Sequence, residues 1–366
     1  MIMRSSSHCL QAQKYSPRGV FIFSRNRGWP MTIKEIARLS GYGVGTVSRV
    51  LNNNPNVSDK ARRAIMEVVE ANNFQPNENA RRLRIQTHSG IAIIIKGRQN
   101  MLFEEILERM QIAFENADYS CSVYYIDEED DETAEAARIQ KEQKPYGFVM
   151  LGSNPEVCNF LSGGDAPVIF VTNSADSMNM PNLSSISTDD YGAAICMINY
   201  LFDKGHTRIG IIGGDPQKSK PSLMRLSGCQ AAFMRHGQAI DMQKQYAYSR
   251  FSFEGGYAAT EKLLQNNPDL TAIFAMSDIM AIGAIRALYD HGKRVPADVS
   301  VTGFDGIEIS RFCNPVLTTI WQNTERMAER GAEILIQCIE EETPAIYETV
   351  PFSLQEGGSV RDIREA

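Results

Sequence analysis

Twenty residues, TIKEIARLSGYGVGTVSRVL from Thr32 to Leu51, leave few folds open to the start of this chain. Thr32 and Glu35 have the spacing of a capping box, in which each side chain binds the other residue's amide. Ile33, Ile36 and Ala37 then share one helical face. Gly41-Tyr42-Gly43 breaks the helix, because glycine enters the positive-φ region that a sharp turn requires. A second helix is expected from about Val44, with Val47, Val50 and Leu51 inward and Gly43, Gly45, Thr46, Ser48 and Arg49 outward. This is a helix-turn-helix pattern, whose second helix can enter the major groove of DNA. The pattern alone also fits an ordinary helical hairpin.

Charge favours the first reading. Residues 1–30 carry five Lys/Arg and no Asp/Glu, and residues 31–88 carry nine against five. With −7 on the whole chain, residues 89–366 hold −16. A basic N-terminal part on an acidic body suits a nucleic-acid-binding head. The 366 residues suffice for two or three domains. No apolar run approaches the ~20 residues of a membrane span, so no membrane partner is expected. Cys9, Cys121, Cys158, Cys196, Cys229, Cys313 and Cys338 are scattered, odd in number and without a CxxC. That usage points to a reducing cytoplasm and away from disulfides or zinc. Residues 1–30 lack a convincing signal sequence. Translation from Met31 is expected, the alternative being a disordered basic arm.

After Leu51, a polar loop with Pro55 leads to Ser58, a candidate cap for a third helix, Asp59 to about Asn72. Ala61, Ile65, Val68 and Val69 form its apolar stripe. Beyond Phe74-Gln75-Pro76, the segment NENARRLR (Asn77 to Arg84) is too short for a stable isolated helix. It reads either as a solvated basic linker or as a hinge that folds on DNA and wedges Leu83 between base steps.

From about Gly90, strands and helices alternate. The strand signals are Ile91–Ile95, Cys121–Ile126, Gly147–Leu151, Pro167–Val171, Ile209–Ile212, Gln245–Tyr248, Ala272–Ala275 and Val299–Gly303. Such alternation implies parallel sheets with helices on both faces, here in two rounds and hence two lobes.

TIKEIARLSG, VGTVSRVLNNNPNVS, FQPN and ARRLR follow one another here as in the LacI/GalR family of bacterial transcription regulators, which the chain resembles over residues 31–84. DDYGAA (189–194), GHTRIGIIGG (205–214), RLSG (225–228), SDIMAIGAIRAL (277–288), VPADVSVTGFDG (295–306), LTTI (317–320) and EGGSVR (356–361) extend the resemblance to the family's effector-binding core. The fold it implies is α/β. An all-α helix-turn-helix head (31–75) and a hinge helix (76–87) precede a two-lobed core built like a periplasmic sugar-binding protein (88–366). Lobe crossings are expected near 188–190, 317–319 and 345–349, giving a near lobe of 88–188 and 319–345 and a far lobe of 189–318 and 346–366.

Val44, Gly45 and Arg49 then lie nearest the base edges, Val44 and Arg49 for readout and Gly45, without a side chain, for close approach. Arg49 can pair bidentately with guanine, and a phosphate or surface role is its alternative. Thr32, Thr46, Ser48 and Asn52 are candidates for phosphate contacts. By resemblance, Asn77 joins the DNA contacts, Leu83 is the minor-groove wedge and Ala80 packs hinge against hinge in a homodimer on a near-palindromic operator. The C-terminal helix Thr324–Glu340 has no leucine heptad after it, which leaves a dimer as the simpler assembly.

The family also places ligand contacts at positions matching Arg225, Phe251, Asp278 and Asp305, with Phe103, Thr172 and Asn173 as near-lobe candidates. Asp278 could instead cap a helix, and Asp305 could stabilise a turn. Where the family often has Asn-Pro-Phe-Phe, this chain has Asn100-Met101-Leu102-Phe103. The acidic run Asp127 to Glu132 reads as a solvated loop, with calcium binding by its adjacent carboxylates as the alternative, although it lacks the ligand order and glycine of an EF-hand. No P-loop, nucleophile elbow or metal-ligand spacing occurs, so neither a catalytic site, a metal nor a cofactor is expected. The reading is an effector-controlled transcription regulator, a repressor whose small ligand is a sugar or sugar derivative. A sugar-binding transport protein is the alternative.

Overall fold

The computed structural model describes residues 32–51, 57–72, 74, 90–97, 100–157, 166–341 and 343–364. The segments 1–30 and 76–87, with Asn52, Asn77, Ala80 and Leu83, lie outside the described residues. The chain divides into two compact units, 1–84 and 85–366.

In the first unit, α1 (Ile33–Ser40), α2 (Val44–Leu51) and α3 (Asp59–Ala71) form a small bundle. The capping box forms: the Thr32 amide donates to Glu35 Oε2 at 2.9 Å and the Glu35 amide to Thr32 Oγ1 at 3.4 Å. Gly41 ends α1 at φ 75°, the left-handed turn that the sequence required. Ser58 caps α3 by accepting the Ala61 amide. Ile36, Val47, Val50 and Ile65 are buried together, with Ile33, Leu51 and Phe74 packed around them.

The second unit holds two six-stranded sheets. The near lobe uses β1 (Ile91–Lys96), β2 (Cys121–Ile126), β3 (Gly147–Leu151), β4 (Val168–Val171), β5 (Leu183–Thr188) and β11 (Tyr347–Val350). Their order is β11-β5-β4-β3-β1-β2, all parallel. The far lobe uses β6 (Ile209–Gly213), β7 (Tyr246–Tyr248), β8 (Ala272–Ala275), β9 (Ser300–Asp305), β10 (Thr318–Gln322) and β12 (Phe352–Gln355), ordered β12-β10-β9-β8-β6-β7. Only β12 runs antiparallel there. The inner strands are buried on both faces, as their continuous apolar runs predict.

Helices cover both faces of each sheet. α4 (Met101–Asn116) and α10 (Thr324–Glu341) pack with one apolar cluster of the near lobe, and α5 (Glu132–Gln143) with the other. In the far lobe, α6 (Asp190–Asp203) and α7 (Lys220–Arg235) cover one face, and α8 (Phe253–Asn266) and α9 (Asp278–Asp290) the other.

Three segments join the lobes, and two differ from the expected places. The first follows Thr188. The second lies at Asn323 rather than 317–319, because Thr318–Gln322 is still a far-lobe strand paired with β9. The third lies at Pro351 rather than 345–349, because Tyr347–Val350 completes the near sheet beside β5. The near lobe therefore takes in α10 and β11, and the far lobe extends to Gln322 and resumes at Phe352. The α7 helix begins at Lys220, with Ser219 as cap and Pro221 in its first turn.

Candidate functional site

Parallel strands deliver loops to one end of a sheet, and here both sheets deliver them to one cleft. The cleft encloses about 700 Å³. On the near side it is lined from the carboxyl ends of β1 (Lys96, Gly97), β2 (Asp127 to Glu129), β3 (Gly152, Asn154) and β4 (Thr172, Asn173). The far side supplies the ends of β6 (Gly214, Asp215), β7 (Tyr248 to Ser252), β9 (Asp305) and β10 (Gln322). Phe103, Thr172, Asn173, Arg225, Phe251 and Asp305 all line it, whereas Asp278 does not.

Arg225 is buried in the second turn of α7. A guanidinium out of water needs partners. Arg225 Nε donates to Asp190 Oδ1 at 2.8 Å, Nη1 donates to the Met276 carbonyl, and Nη1 is 3.9 Å from Asp305 Oδ1. Its carbon also lies 3.6 Å from the Phe304 ring centroid, a cation–π contact. Asp305 accepts from Gln322 Nε2 at 2.8 Å, and Gln322 Oε1 accepts from the Thr188 hydroxyl at 2.7 Å. One glutamine thus connects a cleft carboxylate to the end of the first crossing. Burial pushes the Asp305 carboxyl up to about 7, against the lowering pull of Arg225 and Gln322. Asp305 (φ 118°) and Thr172 (φ 79°) are non-glycine residues at positive φ on opposite walls, the kind of backbone strain that concentrates at binding sites.

Asp278 has a different place from either sequence expectation. Ser277, not Asp278, caps α9 by accepting the Met280 amide. The Asp278 carboxylate, fully buried, accepts the Ile307 amide at 2.9 Å and the Thr319 hydroxyl at 2.5 Å. Asp278 brackets the turn that presents Asp305. Burial and the neighbouring Asp305 push its carboxyl well above the usual range.

The near wall corrects the reading of Asp127 to Glu132 as a solvated loop. Asp131 caps α5, accepting the Thr133 and Ala134 amides at 2.9 and 3.1 Å. Glu132 is 2% exposed, ion-paired with Lys96 and hydrogen-bonded by the Asn154 amide. Asp127, Glu128 and Glu129 face the cleft. Burial raises the Glu128 carboxyl, with Arg250 and the Phe251 amide opposing. Three ion pairs span the two lobes: Lys220–Glu156 at 2.7 Å, Lys218–Glu129 at 3.0 Å and Arg250–Asp127 at 3.3 Å. Strand-end position marked Lys96 and Asp127 in the sequence. Their pairings, which join distant segments, carry no local signal.

Glycines seat the aromatics. A Cβ on Gly152 would stand 2.6 Å from Phe103, and one on Gly214 would stand 2.7 Å from Phe251. Asn173 Nδ2 donates to the Ser153 carbonyl at 2.8 Å, tying together the loops after β4 and β3.

In the head, Val44, Gly45, Thr46, Ser48 and Arg49 all fall on α2, and Gly45 and Thr46 are half-exposed. Thr32 is exposed, but its amide and hydroxyl already serve the capping box. Among the described residues, no group of His, Cys, Asp or Glu could hold a metal ion, and no helix is long and apolar enough to cross a membrane.

Residues 32–77 match the family model described as bacterial regulatory proteins, lacI family, and residues 198–360 match a periplasmic binding protein-like domain. The chain is 34% identical to the HTH-type transcriptional regulator MalR of Clostridium butyricum, over 84% of this chain and 93% of that protein. A solved transcriptional regulator CelR–cellobiose complex superposes with a TM-score of 0.66 at 25% identity, over 90% of this chain and 99% of that one. The lac repressor dimer bound to operator and the anti-inducer ONPF shares the fold, with a TM-score of 0.68 at 23% identity, over 91% of this chain and 100% of that one.

Proposed function

Because the chain belongs to the lacI family of DNA-binding transcription regulators, we propose that it is a repressor that acts as a homodimer in the cytoplasm on a near-palindromic operator, under the control of a sugar-like effector. One observation carries the effector: a cleft lined from both lobes by strand ends, with aromatic faces (Phe103, Phe251) beside hydrogen-bonding groups (Asn173, Arg225, Asp305). Rings with hydroxyls suit such a mixture of apolar and polar surface. The relative solved with cellobiose supports the same class of ligand.

Effector binding regulates only if it favours one conformation over another. The cleft offers that preference, since a ligand touching both walls favours their closed arrangement. Operator readout is assigned to Val44 and Arg49 of α2, with Gly45 allowing close approach, Thr32, Thr46 and Ser48 as phosphate contacts and Asn52, Asn77, Ala80 and Leu83 completing the interface. The chain is proposed to have no enzymatic role.

The test is a gel-shift with the operator near its own gene, with and without sugars that raise the protein's melting temperature. A bound effector stabilises by RT ln(1 + [L]/Kd). Sequence-specific binding that responds to a stabilising sugar is the expected result. Absence of specific binding at that site and at palindromes selected in vitro would refute the regulator.

A further inference from the structure

We propose that the cleft selects a hydroxyl-rich ligand without negative charge and rejects carboxylate- or phosphate-bearing sugars. The inference rests on the sugar-effector reading above and narrows it. The cleft lining contains five basic side chains among the described residues: Lys96, Lys218, Lys220, Arg225 and Arg250. Each is already within ion-pair distance of a carboxylate. Lys96 meets Glu132, Lys218 meets Glu129, Lys220 meets Glu156, Arg225 meets Asp190 and Arg250 meets Asp127.

The lining also holds Glu128, Asp215 and Glu254, which make no ion pair among the described residues, and Asp305, which shares Arg225 with Asp190. Negative groups therefore outnumber positive ones. An anionic ligand would have to break an existing pair or sit against uncompensated carboxylates, and pairs removed from water are costly to break. Hydroxyls face no such conflict, because carboxylates accept from them directly. The rejection is thus built from repulsion as much as from attraction.

Deep in the cleft, Lys96 and Arg225 are the cations with the most buried partners: Glu132 is 2% exposed and Asp190 is 9% exposed. They are the groups that an anion would otherwise seek, and they are the most firmly committed. The rim pairs of Lys218 and Arg250 are exposed and can rearrange, but releasing either cation also frees its carboxylate beside the ligand.

The experiment compares matched probes by calorimetry and thermal shift on the full chain. The pairs are glucose with glucuronate, galactose with galacturonate, and glucose with glucose 6-phosphate, with cellobiose and maltose as larger neutral probes. The expected result is that a neutral sugar binds, and that its charged counterpart binds at least tenfold more weakly or not at all. Glu132→Gln, which frees Lys96 from its carboxylate, should narrow that gap about tenfold. Should that variant fail to fold, the exposed Glu254→Gln, combined with Asp215→Asn, is expected to narrow the gap in the same direction. An acidic sugar that binds wild-type protein as well as its neutral partner, or better, overturns the inference and leaves the sugar reading standing. Binding of nucleosides with no response to any carbohydrate overturns both.

Discussion

Replacing Asp278 with alanine separates a scaffold from a ligand contact. In the structure its carboxylate receives the Ile307 amide and the Thr319 hydroxyl. Thr319 can turn to the Ile320 carbonyl, 3.4 Å away, so the Ile307 amide loses its acceptor outright. A buried donor left unsatisfied costs about 1–3 kcal/mol. Removing a carboxyl that burial already disfavours in its charged form offsets part of this, so the lower half of that range is expected. At roughly 2–4 °C per kcal/mol for a domain of this size, the melting temperature should fall by about 2–8 °C. Thermal and urea unfolding read the loss. Adding Thr319→Val should cost less in the Asp278→Ala background than in wild type, because the two share one hydrogen bond. Unchanged stability together with abolished sugar binding would refute the bracket and restore Asp278 to the ligand.

Three other outcomes follow from the same geometry. Asp305 is protonated below about 7, and the charged form is the better acceptor for a sugar hydroxyl. Effector affinity should therefore fall as pH drops through 7, by up to about tenfold per unit. The same raised carboxyl makes the ligand-free fold lose stability as pH rises from about 4 towards 7, and a pH-independent affinity indistinguishable from that of Asp305→Asn would count against this assignment. The Lys218–Glu129 and Arg250–Asp127 pairs span the lobes but are exposed and screened by salt, so Lys218→Ala with Arg250→Ala should weaken effector binding by up to about tenfold at low salt and little at high salt; equal affinities in calorimetry at low salt would show that these cross-lobe pairs do not favour the closed arrangement. Thr32→Ala removes the first cap of the head at a cost of about 1 kcal/mol, read as weaker operator binding and faster proteolysis near residue 32, whereas unchanged affinity and digestion would show that the cap is dispensable.

What could be read in the sequence was what is local. The Thr32–Glu35 box, the Gly41 turn and the Ser58 cap depend on residues within a few positions of one another, and all three form. The strand end before Asp305 was legible as well, and the family resemblance marked Arg225 and Phe251; all three line the cleft. The direction of a side chain at a strand end was not. Asp278 and Asp305 each stand beside a strand end, yet one turns into a bracket and the other into the cavity. The acidic run misled because its polarity resembles a solvated loop. Its pairing with Lys96, Lys218 and Arg250 exists only once β1, α7 and β7 converge. The second and third crossings moved because Thr318–Gln322 and Tyr347–Val350 are short edge or near-edge strands, defined by their partners rather than by their own pattern.

The third crossing has a consequence for biosynthesis. Residues 347–350 supply an edge strand to the near sheet, and residues 352–355 supply one to the far sheet. The near sheet is incomplete until residue 350 has left the ribosome and the far sheet until residue 355, although most of both cores has by then been made. Until then β5 and β10 present open edges, the surfaces on which unfinished chains pair with one another. A nonsense or frameshift change just after α10 would therefore damage both lobes at once. Its expected signature is aggregation during synthesis, rather than a soluble protein with one intact lobe.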